Sequence, residues 1–263
     1  MTKVNIYNID GSVKEKIDLP EVFSTSFRPD IIRKSYNTLH SNQRQPYGAY
    51  PLAGTRHAVA SVGKGRGMSR VPRLSQGRGA ALAPCVVGGR RAHPPKAERN
   101  WKEKINKKEK QIAKNSALAA TSNKEIVASR GHKFDDKVTL PIIIDDSFEK
   151  IAKTKDIISL FEKIGIYDDI IRAENGKHIR PGKGKRRGRK FKTPKSALIV
   201  TIKDNVGSKN LCGVDCTKPN LINIEHLAPG GDAGRLLVLS KSALAQIGGV
   251  KWWILMPLFY ILL

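Results

Sequence analysis

Glycine alternates with a cation twice in this chain, as Gly63-Lys64-Gly65-Arg66-Gly67 and as Gly77-Arg78-Gly79. Glycine lets a backbone approach a phosphate closely and take positive φ, while arginine forks onto phosphate oxygens or lies flat on a base. Both stretches fall within residues 41–99, where eleven Lys or Arg face a single acid, Glu98, for a local net charge of +10. The cations are Arg44, Arg56, Lys64, Arg66, Arg70, Arg73, Arg78, Arg90, Arg91, Lys96 and Arg99. Nine glycines and six prolines break the segment up, and Val59, Val62, Met68, Val71 and Leu74 stand singly between charges. So few branched aliphatics do not offset a chain entropy of about 1–2 kcal/mol per fixed residue. The segment is therefore expected to be neither helix nor strand, and to take its shape from a polyanion such as folded RNA, where shape and phosphate contacts dominate. Fully extended, each arm of about 27 residues spans roughly 90 Å.

A second basic block occupies residues 176–195, with ten Lys or Arg and no acid; it includes Lys183, Lys185, Arg186, Arg187, Arg189 and Lys190. Residues 1–40, by contrast, carry a net charge of only +1. The two blocks supply +20 of the chain's +25, a balance foreign to an ordinary cytosolic enzyme and suited to a protein held on nucleic acid.

The other reactive residues do not assemble into a reaction. GKGRG after Val62 lacks the preceding strand and following helix of a dinucleotide fingerprint, and Gly184 stands where a P-loop needs Ser or Thr. Asp145-Asp146 and Asp168-Asp169 are paired carboxylates of the kind that hold magnesium, but acids also mark helix ends, the reading preferred here. Cys212 and Cys216 have the C-x-x-x-C spacing of half a zinc site, but no second pair or His-x-His cluster completes four ligands, and with Cys85 they make three cysteines, too few for a disulfide framework. His57, His93, His132 and His178 lie in basic loops and are expected to be solvated or to meet RNA. No catalytic residue, metal or cofactor is expected.

The elements that must position the basic blocks are legible from hydrophobic periodicity. Alternation over 4–9 predicts a strand ending at Asp10-Gly11, and Ile32, Tyr36 and Leu39 predict a helix opening at Pro29-Asp30. A helix is expected from Trp101, with Trp101, Ile105 and Ile112 in one stripe and Lys102, Lys104, Lys107, Lys110 and Lys114 on the other face, continuing through Ala120. Val138–Ile144 predicts a buried strand with Pro141 at its edge or start, and Ile157–Ile164 a helix stopped by Gly165. Further strands are expected at 197–202, 221–224 and 236–239, and a helix at 240–247. Strands separated by helices indicate an α/β domain with a largely parallel central sheet. Residues 1–40 and 100–248 are assigned to this discontinuous domain, 41–99 to an extended loop, and 249–263 to an apolar tail. That tail, Trp252–Leu263, is twelve residues long and interrupted by Pro257, short of the roughly 17–25 that span a bilayer. The N-terminus carries no signal-peptide apolar run.

Six stretches, in order, carry a resemblance: SVGKGRGMSRVPR at 61–73, GRRAHPPK at 89–96, SALAAT at 116–121, ASRGHKFD at 128–135, KGKRRGRKFKTPKSALIVT at 183–201 and LAPGGDAGRLLVLSKSAL at 227–244. Together they resemble the large-subunit ribosomal protein L-four family, in its archaeal and eukaryotic branch. The resemblance implies a cytoplasmic, non-enzymatic constituent of the large ribosomal subunit that binds ribosomal RNA and supports assembly. It implies an α/β domain on the subunit surface and a long loop reaching the wall of the nascent-peptide exit tunnel, beside the twenty-second large-subunit protein and the nascent polypeptide. By that likeness Gly63, Lys64, Gly65, Arg66, Gly67, Met68, Ser69, Arg70, Val71, Pro72 and Arg73 form the tip. Arg44, Arg56, Arg78, Arg90, Arg91 and Lys96 line the arms, and the cations from Lys183 to Lys190 hold RNA beside the domain. Archaeal relatives end soon after the SAL helix, so the likeness does not extend to the apolar tail; the lack of a long basic C-terminal extension favours the archaeal branch. Two alternatives stay open at this point: a free basic RNA chaperone or regulator, and a protein tethered to a membrane by its tail.

Overall fold

The computed structural model describes residues 3–77, 79–203 and 207–249. The expected first strand is β1 (Lys3–Tyr7), and Gly11, at φ 78°, turns the chain back into β2 (Val13–Asp18), antiparallel to it with Ile17 opposite Val4. The sequence VKEKID hides β2 from a hydrophobicity reading, because its charges are those that guard an exposed sheet edge against pairing with other chains. Helix α1 (Pro29–Asn42) starts at the expected Pro-Asp and buries Ile32, Ser35 and Thr38.

The chain forms two compact units, one from residues up to Leu39 and from Lys104 onward, the other His40–Glu103. The second unit holds a short antiparallel hairpin, β3 (Val59–Ser61) with β4 (Pro72–Leu74), where Val59 faces Leu74 and Ala60 faces Arg73. This corrects the expectation that 41–99 contains neither helix nor strand: α1 enters it as far as Asn42, and a local pairing of three residues per strand needs no large core.

In the first unit, α2 (Lys107–Ala120) begins six residues later than Trp101. The intervening backbone is engaged elsewhere: Ser41 Oγ donates to Trp101 O at 2.7 Å, Glu103 N donates to Asn42 Oδ1 at 2.9 Å, and Asn42 Nδ2 donates to Glu103 O at 3.2 Å. The expected apolar stripe is wrong as well. Ile112 is 49% exposed, and Ala113, Ala117, Leu118 and Ala120 face the core instead. Lys114, expected on the basic face, is buried, and desolvation followed by the nearby Lys110 pulls its amine down to about 7. The short helix α3 (Lys124–Ser129), unforeseen, starts where Asn123 Oδ1 accepts from Glu125 N.

The sheet continues with β5 (Ile142–Ile144), starting just after Pro141, whose missing N–H is thereby kept out of the ladder. Helix α4 (Thr154–Ile164) ends as expected at Gly165, whose N–H reaches Phe161 O and whose φ of 86° suits glycine; a Cβ there would run into Asp135. Next come α5 (Tyr167–Asn175), the two-residue strands β6 (His178–Ile179) and β7 (Phe191–Lys192), and β8 (Leu198–Val200). The strand expected at 221–224 is instead a 3-10 turn followed by α6 (Ile224–Leu227). The actual strand, β9 (Asp215–Thr217), is polar and lies at the sheet's other edge. The chain then forms β10 (Leu237–Ser240) and α7 (Lys241–Gly249).

The strand order is β2-β1-β5-β10-β8-β9, parallel throughout except for the β1–β2 pair. The central strands are buried on both faces, which is why they read as unbroken apolar runs. Ile6, Ile143, Leu198 and Leu239 pack under Ile32, Ala117, Leu118 and Leu244. On the opposite face Ile142, Ile144, Ile199 and Val238 pack under Ile157, Leu160, Phe161 and Ile170. Each such Leu, Ile, Val or Phe side chain contributes roughly 1.5–3 kcal/mol by leaving water. This double-sided core is the base from which the basic segment between β6 and β7 of the same unit emerges. The tail 252–263 lies outside the described residues.

Candidate nucleic-acid interface

Between β3 and β4 the chain reverses through residues 62–71; the expected tip, 63–73, covers this loop from Gly63 and the first two residues of β4. Gly63, Gly65 and Gly67 have φ of 77°, 76° and 63°, with open space where a Cβ would stand. Three left-handed residues in five prevent this loop from becoming strand or helix and leave its N–H groups unclaimed by a ladder. Lys64, Arg66, Met68 and Arg70 are exposed along it. Arg73 differs, being half-buried in β4 with its guanidinium on Ser69 Oγ at 3.2 Å, so it braces the loop's far end.

The arms run alongside each other. Ala49 N donates to Pro95 O at 2.9 Å, and a Cβ on Gly48 or Gly54 would meet the backbone of Ala97 or Arg90. Arg56 lies 4.9 Å from the Tyr50 ring centroid and donates to Tyr50 Oη at 2.7 Å, and Arg44 lies over Trp101 at 5.3 Å. Arg90, Arg91 and Lys96 are exposed; Arg78 lies outside the described residues.

In the first unit β6 and β7 pair, His178 with Lys192 and Ile179 with Phe191, and carry the second basic block as their connection. Lys183, Lys185, Arg186, Arg187, Arg189 and Lys190 are all exposed, and among the described residues none meets a carboxylate. Lys190 lies 5.4 Å and Lys177 5.2 Å from the Phe191 ring centroid, so two ammonium groups cover an aromatic otherwise half in water.

What holds this hairpin is a buried polar clamp absent from the sequence reading. Asp169, fully buried at the start of α5, accepts from Ser196 Oγ at 2.6 Å, Arg172 Nε at 2.9 Å and Lys133 N at 3.1 Å, and lies 3.0 Å from His132 Nδ1. Burial opposes its ionisation but is outweighed by His132, Arg172 and Ser196, leaving the carboxyl at about 2. His132 is thus a buried partner, not the loop histidine expected to be solvated or to meet RNA. Arg172 also donates to Lys195 O at 2.9 Å. Arg235 completes the clamp from the other side, donating to Ser196 O at 2.7 Å and to Ala197 O at 3.2 Å and pairing with Asp215 at 2.7 Å. Desolvation lowers the Arg235 guanidinium, and Asp215 counters it. The segment leaving β7 is therefore fixed on both sides before it enters β8. Buried charges so far apart in sequence leave no local pattern to read, although Arg235 and His132 both lie in stretches that carried the resemblance.

The remaining candidates for chemistry take structural positions. Asp145 caps the turn at 146–150 through Ser147, with its carboxyl lowered to about 2 by that hydroxyl and by Lys14, while Asp146 Oδ1 accepts from Ser242 N at 2.8 Å at the start of α7. Cys216 Sγ lies 3.0 Å from Ser208 Oγ, and burial raises its thiol. Among the described residues no group of three or more His, Cys, Asp or Glu is placed to hold a metal, and no helix is long and apolar enough to cross a membrane.

The first unit is thus a doubly covered α/β sheet that mounts a clamped basic hairpin, the architecture of a scaffold. The family model described as "Ribosomal protein L4/L1 family" matches residues 17–250. The protein of Methanococcoides burtonii named large ribosomal subunit protein uL4 is 51% identical over 253 residues, 95% of this chain and 99% of its own. Its namesakes from Methanocaldococcus jannaschii and Methanosphaera stadtmanae are 50% and 45% identical, over 93% and 94% of this chain and 98% and 97% of theirs. The chain belongs to the ribosomal protein L4/L1 family, a structural, non-enzymatic constituent of the cytoplasmic large ribosomal subunit.

Proposed function

We propose that the chain binds large-subunit ribosomal RNA through two elements, the 40–103 unit and the β6–β7 hairpin, and that it supports subunit assembly by doing so. The tip, residues 63–73, reaches the wall of the nascent-peptide exit tunnel, near the twenty-second large-subunit protein and the passing polypeptide. The observation carrying this reading is the contrast within the hairpin: its root is clamped by two ion pairs, each with one partner buried, whereas its six outer cations meet no carboxylate among the described residues. Cations left without acids on a rigid mount suit a phosphate backbone. Each one seated on a phosphate releases counterions, so log affinity falls by about 0.9 per seated cation for each tenfold rise in salt.

Replacing Lys185, Arg186, Arg187 and Arg189 with Gln is expected to flatten that salt dependence on large-subunit RNA by roughly 0.7–0.9 for each cation that had been seated on a phosphate. An unchanged slope in a titration of the full chain would place the phosphate-binding groups elsewhere. In cells, Arg66→Glu with Arg70→Glu is expected to deplete mature large subunits in sucrose gradients more than Lys104→Glu does; equal depletion would mean that the tip has no special role.

A further inference from the structure

Periodicity assigned Trp101 to a helix, but the structure places it in an aromatic cluster of the 40–103 unit. Tyr47 stacks on the indole with centroids 5.7 Å apart and planes inclined by 20°, while Arg99 and Arg44 lie over the same ring at 4.5 and 5.3 Å. Trp101 Nε1 is shielded from solvent and donates to no acceptor among the described residues, so the indole is held by its faces rather than its edge. Despite this stacking, Tyr47 remains 60% exposed. It borders an open cavity of about 510 Å³ lined otherwise by Arg91, His93, Pro94, Pro95, Lys96 and Arg99. Among the described residues no carboxylate lines that cavity.

We infer that this cavity is a binding site for one unpaired nucleobase of RNA, stacked on Tyr47, with its flanking phosphates on Arg91 and Lys96. The inference deepens the proposed RNA-binding role and rests on it. A purely electrostatic grip needs only cations. An aromatic ring braced from behind, with basic groups on the walls and no acid, matches the combination by which single strands are held: base on π-face, phosphate on cation. The volume falls within the roughly 300–1,000 Å³ of small-ligand pockets, enough for a nucleotide but not for a duplex. Indole, tyrosine and guanidinium stacked together lose little conformational freedom when the base arrives, so its stacking is not offset by ordering the platform.

The test compares full-length protein with its Tyr47→Ala and Tyr47→Phe variants, binding a mixed-sequence single-stranded oligoribonucleotide or inorganic polyphosphate of equal charge, across a range of salt. Tyr47→Ala is expected to weaken RNA binding by at least about fivefold, the lower bound for losing one stacked base. The salt slope and polyphosphate affinity should be unchanged, and Tyr47→Phe should retain RNA affinity. Arg91→Ala with Lys96→Ala should lower the salt slope by about 0.7 for each of the two cations. The inference is overturned if Tyr47→Ala leaves RNA affinity intact, if it weakens polyphosphate equally, or if a polyglutamate peptide competes as well as RNA does. The underlying RNA-binding role fails separately, if the four hairpin cations and the Arg66 and Arg70 pair can be removed without loss of RNA affinity.

Discussion

Asp169 gathers an imidazole, a guanidinium, a hydroxyl and a backbone N–H around one buried carboxylate, and the pH dependence of folding should report it. Its folded pKa of about 2 lies below its ordinary 3.8, so its contribution is fully present above pH 4 and lost as pH falls through 2. That contribution is on the order of 2 kcal/mol. Asp169→Asn is therefore expected to lower stability at pH 7 and to flatten the acid limb between pH 4 and 2 in denaturant melts; an acid limb as steep as the wild type's would show that other carboxylates govern it. At this scale the exposed cations were legible, since charge without an acid nearby in sequence is visible in a string of letters. Their supports were not. Asp169 looked like a helix-start acid and His132 like a loop histidine, because partners 37 residues apart announce themselves only once the chain is folded. The stacking of Tyr47 on Trp101, 54 positions away in the chain, is hidden for the same reason.

Among the elements, those with apolar runs were readable and those with charged faces were not. Ile142–Ile144, Leu198–Val200 and Leu237–Leu239 are buried on both sides and show it in sequence, whereas β2 and β9 sit at the sheet's two edges, where polarity protects them. The late start of α2 had a different cause: Ser41 and Asn42 claim the backbone of Trp101 and Glu103, which periodicity does not register. Because the two core clusters consist almost wholly of residues outside 40–103, the α/β unit is expected to fold without the loop. Deleting 55–85 should preserve the far-UV circular dichroism of α1, α2 and α4–α7 and a cooperative melt; loss of the helical signal would show that the loop is needed for the fold.

Across the whole molecule, charge is divided between tasks. Residues 1–40 are nearly neutral and give strands and a helix to the core, while 41–99 and 176–195 hold +20 of the total +25. A chain so basic repels itself when alone, and the cost falls when phosphate neutralises the two segments that carry most of the charge. Everything proposed for function depends on these exposed cations being phosphate ligands rather than solvated decoration. A density map of the assembled large subunit containing this protein would decide between the two. RNA phosphate oxygens are expected within hydrogen-bond distance of Lys185, Arg187, Arg66 and Arg70, with the α/β core unchanged. Density showing those four side chains turned to solvent, with RNA held against other surfaces, would contradict the phosphate-ligand role.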